Sequence, residues 1–294
     1  MAHDADLLTR FVFAGAAVRG AHVSLAATTR SILACHEYPP SLARAIGEMC
    51  AAMALLSGAI KFEGRVIAQL SGDGPVRLLV VESDRGALRA TAQWDAPRVA
   101  TLGDDAGFAA LAADGGNARL SLTLAPDEGP SYQGVVALQS ASVAAMIEHY
   151  LATSEQVASR MRVAFDDGAA SGVLVQRMPG AGADDDAAWR RAVAGLDAAS
   201  AADLRPGRPA HIVLATAFAD DDLRLMPATP VVFRCKCSDA RVARALRIAG
   251  RDEIEAAIAE RGDVEVACEF CGKRFNFAPD AARALFDAAL SPHH

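Results

Sequence analysis

The sequence predicts an α+β fold: an N-terminal domain of mostly antiparallel sheet with long helices, a helical linker region, and a small C-terminal α+β domain. Three observations carry this reading. Strand-length apolar runs recur between short Gly, Asp and Pro turns, the pattern of hairpins rather than of parallel βαβ units. One long helical stripe of Leu, Ile and Met runs through residues 41–60. Four of the six cysteines fall in two short pairs within the last quarter of the chain. The domains read as 1–178, 179–230 and 231–294, divided by the Pro179-Gly-Ala-Gly182 break and by the return of strand-like residues at Val231.

In chain order, Phe11, Phe13 and the run Val18 to Val23 predict strands joined at glycine. Pro39-Pro40 stops that region and leads into a helix from Ser41, with Leu42, Ile46, Met49, Met53 and Leu56 on one stripe. Small residues on the rest of its surface let other elements approach closely. Three strands follow at 65–72, 76–83 and 87–94, the first two joined by Gly72-Asp-Gly-Pro75, a strong turn signal. Strands at 119–126 and 132–139, a helix at 141–152 and a strand at 172–178 complete the domain. Thr153 and Gln156 fit a capping box for one more helix, through Arg160 or beyond. Residues 181–222 are rich in Ala, Gly and Asp, with a helix at about 185–197. They read either as a spacer or as a segment whose order depends on docking elsewhere. The last domain predicts helices at 239–250 and 252–262, strands at 263–271 and 273–279, and a final helix at about 279–290.

Composition excludes several function classes. A chain of 294 residues that is 52% hydrophobic and 22% charged is globular and long enough for two domains. A net charge of -7 argues against nucleic acid as the main partner. The acidic start, MAHDADLLTR, lacks the basic end and apolar core of a signal peptide. No uninterrupted apolar run reaches the ~18 residues of a membrane span. A cytoplasmic location is expected. Thiols are reduced there, so paired cysteines favour metal or redox chemistry over a disulfide framework.

The pairs are Cys235-Lys-Cys237 and Cys268-Glu-Phe-Cys271. Four thiolates together make a closed tetrahedral site for zinc, which leaves no open position for a substrate. The same sulfurs can instead be oxidised to two disulfides, or pack as four buried thiols. Magnitudes make the choice between metal and disulfide consequential. A domain of about 60 residues draws only ~3–5 kcal/mol from its core, whereas structural zinc contributes roughly 10–16 kcal/mol. Disulfides closing loops of three or four residues return only about 2 kcal/mol each. Oxidation would therefore unfold the domain. Elsewhere, Cys35 and Cys50 read as structural thiols, and Cys35 with the adjacent His36 lacks the alignment of a catalytic dyad. Gly72-Asp-Gly-Pro75 is no phosphate loop, and Ser154 has no nucleophile partners. No catalytic constellation emerges, and the chain reads as a non-enzyme.

Several stretches together resemble the 33 kDa heat shock protein family of redox-regulated chaperones, over nearly the full length. They are FRCKCS (233–238), CEFCGKRFNF (268–277), HEYPPSLARAIGEMCAAMALLSGAIKFEGRVIAQLSGDGPVRLLVVE (36–82), YQGVVAL (132–138) and EHYLATSEQ (148–156). One departure is VASRM (157–161), where the family usually carries proline and threonine. The resemblance implies an ATP-independent holdase for unfolding client proteins. Zinc on Cys235, Cys237, Cys268 and Cys271 would hold the reduced form inactive. Oxidation would form Cys235–Cys237 and Cys268–Cys271 bridges, release zinc, unfold the switch domain and linker, and give an active homodimer. Two other classes stand beside it. A zinc-ribbon nucleic-acid-binding protein needs a basic face, and a thiol oxidoreductase needs a βαβ context around Cys268.

Overall fold

The computed structural model describes residues 6–60, 63–112, 117–137, 142–182 and 185–287. It divides into two compact units, Met1–Arg234 and Cys235–His294. The fold is mixed α+β with antiparallel sheets, as predicted. The stretch 179–230, expected as a linker region, packs within the first unit.

The first unit opens with a hairpin of β1 (Leu7–Phe13) and β2 (Val18–Leu25). Alternation along β2 sends Ala21, Val23 and Leu25 to one core and Val18 to another, with His22 and Ser24 on the side of Val18. A short helix absent from the sequence reading follows, α1 (Ala27–Leu33). Its own N-cap residue is Ala26, which has no capping side chain. Asp6 caps it from a distance, its carboxylate accepting from the backbone N–H groups of Ala26 (2.6 Å), Ala27 (3.2 Å) and Thr28 (2.5 Å).

The long helix α2 (Pro40–Ala59) starts one residue earlier than expected, because proline is well placed at a first helical position. The stripe Leu42, Ile46, Met49, Met53 and Leu56 is fully buried, but so are Cys50, Ala51, Ala52 and Leu55 on other faces. By length and composition α2 is apolar enough to cross a membrane, yet here it is the core helix of the unit. Its neighbours come from both sheets: Ala21, Val23 and Leu174 from one, Val66, Leu79 and Leu122 from the other.

The second sheet is built from β3 (Gly64–Ser71), β4 (Val76–Asp84) and β5 (Ala87–Trp94), then, after short helices α3 (Ala96–Ala100) and α4 (Phe108–Ala112), β6 (Arg119–Pro126) and β7 (Tyr132–Ala137). Helix α5 (Val143–Thr153) returns the chain to the first sheet through β8 (Ser159–Asp166) and β9 (Ala169–Arg177). The helix expected after Thr153 is absent. Thr153 ends α5, Gln156 is left-handed (φ 55°), and β8 begins at Ser159. The signal that decides this segment is period two: Met161, Val163 and Phe165 alternate with Arg160, Arg162 and Ala164, and Asp167-Gly168 then turns the chain with two positive φ angles.

The remaining elements are α6 (Asp185–Ala198), α7 (Ala210–Ala217), β10 (Leu223–Leu225), β11 (Thr229–Pro230) and β12 (Val232–Phe233). Sheet order is β10-β1-β2-β9-β8 in the first sheet, with β11 also on β1, and β12-β5-β4-β3-β6-β7 in the second. Among the described residues all pairings in these two sheets are antiparallel except β12 on β5. Strand β9 is buried on both faces: Leu174 joins the α2 core, whereas Val173 and Val175 join a second core under α6 and α7.

His22 lies on the face that carries this second core and is 3% exposed. Burial depresses its pKa from 6.5 to about 4. Above pH 6.5 the imidazole is neutral whether folded or unfolded, so it has no effect. Below that the unfolded chain takes up a proton that the fold refuses until about pH 4. The penalty grows through this window and reaches about 2 kcal/mol at pH 5. His22→Gln should therefore lose about 2 kcal/mol less stability than the parent between pH 7.5 and pH 5. Urea unfolding at both pH values measures it, and equal losses in the two proteins would refute it.

Candidate metal centre

The second unit is small. Helices α8 (Asp239–Ala249) and α9 (Arg251–Arg261) lead into a hairpin of β13 (Val264–Ala267) and β14 (Arg274–Phe277), and α10 (Pro279–Asp287) follows. Its core is Val242, Leu246, Ile254, Val264, Phe275 and Ala282. Arg283 pairs both guanidinium arms with Glu255 at 2.9 Å, tying α10 to α9.

Local chemistry places each pair of cysteines. Cys268 and Cys271 occupy the tight turn between β13 and β14. The Cys268 N–H donates to the Lys273 carbonyl (2.9 Å) and the Gly272 N–H to the Cys268 carbonyl (2.8 Å). Gly272 is at φ 68°, a left-handed conformation that glycine adopts at no steric cost. Cys235 and Cys237 lie in the extended segment before α8. Ser238 ends that segment as the N-cap of α8, its hydroxyl accepting from Arg241 N–H. Ser238 was not singled out from the sequence, although a serine just before an apolar helical period is a capping signal.

The four Sγ atoms lie within 4.8 Å of one another, and all four residues are half-buried. Cys235 and Cys268 approach to 3.6 Å, Cys237 and Cys271 to 3.5 Å. Four sulfurs at about 2.3 Å from a central zinc stand roughly 3.8 Å apart on a tetrahedron. A disulfide needs about 2.05 Å, and all four are free thiols. The set can hold a metal ion.

Electrostatics follow from this crowding. Burial pushes the Cys237 thiol up to about 12, with its hydrogen bonds to Cys271 and Cys235 adding to the rise. Burial raises Cys271 as well. Cys235 also feels burial, but the Cys237 backbone N–H and the Cys271 and Cys268 thiols donate to it, and together they bring it below the ordinary thiol value. Cys235 thus gathers the donors, while burial favours the protonated form of Cys237 and Cys271. A bound dication would replace those protons and convert the whole set to ligands.

The other two cysteines lie in the first unit. Cys50 is enclosed in the α2 core, as expected, and burial pushes its pKa to about 12. Cys35 is only half-buried, with its Sγ donating to the Ser31 carbonyl at 3.3 Å.

Comparison with known proteins places the whole chain. A family model described as Hsp33 protein matches residues 6–278. The 33 kDa chaperonin of Chromobacterium violaceum is 37% identical over 284 residues, covering 96% of this chain and 94% of the relative. That of Hahella chejuensis is 35% identical over 288 residues, covering 97% and 98%. The crystal structure of a 33 kDa chaperonin from Thermotoga maritima superposes with a TM-score of 0.82 over 98% of this chain and 99% of that one, at 19% identity. That likeness shows a shared fold. On the match across nearly its full length, the chain belongs to the Hsp33 family of chaperones.

Proposed function

We propose that this protein is an ATP-independent holdase, not an enzyme, which binds unfolding client proteins in the cytoplasm when oxidants disable its metal centre. The observation that carries the reading is the convergence of Cys235, Cys237, Cys268 and Cys271 at tetrahedral spacing in a unit whose own core is small. These four thiolates suit zinc, which takes sulfur ligands in a closed structural site. In the reduced state they hold the unit folded. An oxidant such as a peroxide draws two electrons from each pair, forming Cys235–Cys237 and Cys268–Cys271 disulfides and ending as water. Oxidation removes all four donors, and the unit loses more stability than two short loops restore.

The surface released upstream is the second core. Helices α6 and α7 bring Leu196, Val213, Leu214 and Phe218 onto Phe11, Phe13, Val18, Val173 and Val175. Phe218 meets Phe13 edge-on at 5.2 Å and Phe11 at 5.8 Å. Polar ties add to this: the Ala17 N–H donates to Asp185 (2.7 Å), and Arg177 pairs with Asp186 (2.6 Å), Arg160 with Asp197 (2.6 Å), Arg205 with Asp166 (2.8 Å) and Arg191 with Asp221 (3.0 Å). Arg191 and Arg205 are exposed and Arg160 is half-buried, and exposed pairs contribute about 0–1 kcal/mol. Undocking these helices would uncover the apolar sheet face beneath them, and that face would take clients. The oxidised form acts as a homodimer.

Peroxide treatment at raised temperature should release one zinc per chain, measured with a chromogenic chelator, and should confer suppression of aggregation on a thermally unfolding client. Retained zinc, or zinc lost without suppression, would sink the reading. Cys268→Ser should bind zinc at least about tenfold more weakly; unchanged affinity in a competition titration counts against the ligand set.

Gly195 tests the linker. A Cβ there would lie 2.2 Å from the Ala217 carbonyl, so α6 and α7 meet only because that side chain is absent. Gly195→Ala should loosen the pair and give the reduced, metal-loaded protein partial holdase activity. Light scattering of a heated client reads the effect, and activity that stays wholly oxidation-dependent would contradict it.

A further inference from the structure

The first unit ends in an extended strap. Strand β10 pairs with β1, Phe11 opposite Leu225 and Phe13 opposite Leu223. Strand β11 lies beside the start of β1, Leu7 opposite Pro230. Strand β12 then joins the other sheet and runs parallel to β5, Val232 opposite Ala87 and Phe233 opposite Leu88. The strand orders give the consequence: without the strap, β1 and β5 are both sheet edges.

Backbone groups do most of the holding. Met226 N–H donates to the Arg10 carbonyl (2.8 Å), Val231 N–H to Asp6 (2.9 Å), Val232 N–H to Gly86 (2.8 Å) and Arg234 N–H to Leu88 (3.0 Å), while Ala14 N–H donates to Asp222 (2.8 Å). Side chains divide: Val231 is buried in the α2 core with Phe233 packed against that core, whereas Leu225, Met226 and Val232 remain 45%, 40% and 40% exposed. Gly86 lets the backbones touch, since at φ +79° a Cβ there would stand 2.7 Å from the Pro230 carbonyl. Beneath the strap is a cavity of about 340 Å³, lined by Leu8, Val66, Gly86, Thr229, Pro230 and Val231 among others. It has room for side chains larger than Thr229 and Pro230.

Main-chain pairing is indifferent to sequence, and pockets beside it accept side chains of suitable size. That is the chemistry a holdase needs for clients of unrelated sequence. We propose that the β1 and β5 edges are strand-addition sites for extended apolar segments of unfolding proteins, and that the strap is their resident competitor. The proposal rests on the holdase reading above. The coupling is covalent, because the last strap hydrogen bond, from Arg234, adjoins Cys235 in the chain. When the fold beyond Cys235 is lost, the strap loses its anchor at that end.

Amide hydrogen exchange on the full-length protein tests this in three states: reduced and zinc-loaded, oxidised, and oxidised with thermally unfolding citrate synthase. Segments 7–14 and 86–90 should exchange slowly in the first state and at least about tenfold faster in the second. They should slow again in the third while 223–234 stays fast. Client held with 7–14 and 86–90 still fast would overturn the proposal and leave the holdase reading standing. Slowing of 223–234 together with the edges would also overturn it, since the strap itself, or that of a second copy, would then be the occupant. Failure to hold citrate synthase at all would remove the holdase reading and this proposal with it. As a second measurement, Val232→Pro deletes the donor to Gly86 and should let the reduced protein retain measurable citrate synthase. No retention by a folded variant would count against the strap as competitor.

Discussion

A helix that presents no exposed residue from Ser41 to Ile60 has to be wrapped on every side, and α2 imposes that requirement on the whole first unit. One sheet does not cover a helix all round, so two do, and their strands supply apolar residues to a single core around it. Its small residues matter as much as its large ones. Ala51 and Ala52 are fully buried, and a Cβ on Gly47 would run into the Phe165 ring at 2.3 Å. The close packing explains why Cys50 is inert: its thiol sits where burial alone holds the proton on.

The second unit is organised on the opposite principle. Among the described residues its core is a small cluster around Val242, Leu246, Ile254, Val264 and Phe275, extended by partly buried neighbours that include Cys237 and Cys268 themselves. Where apolar area is scarce, a single tightly held ion supplies a large share of the folding free energy. The same scarcity makes such a unit conditional on the chemistry of its ligands. The first unit carries a large core around α2 and the second a small one, in the same chain.

Between these extremes lie α6, α7 and the strap. They belong to the first unit, and they attach through a second apolar core, ion pairs and short backbone pairings. The sheet beneath packs on α2 with its other face, through residues of β2 and β9.

The sequence by itself determined the antiparallel sheets, the long helix and the four cysteines. Each is written in local signals: period-two runs around Gly-Asp-Gly-Pro, a repeat of three and four residues, and pairs spaced for a turn. It misread the segment after Thr153, where a helix-start signal competed with a strand alternation that only pairing with β9 settles. It passed over α1, whose cap is an aspartate twenty residues away. It left residues 181–222 open between spacer and conditional segment, because their few large apolar residues carry no strong period. Only the tertiary structure decided that those residues cover Phe11, Phe13 and Val175, that the strap closes two sheet edges, and that the four sulfurs meet at tetrahedral spacing. The physical reason is the same in each case. Burial and pairing between residues far apart in the chain depend on which surfaces the fold brings together, and no local pattern records that.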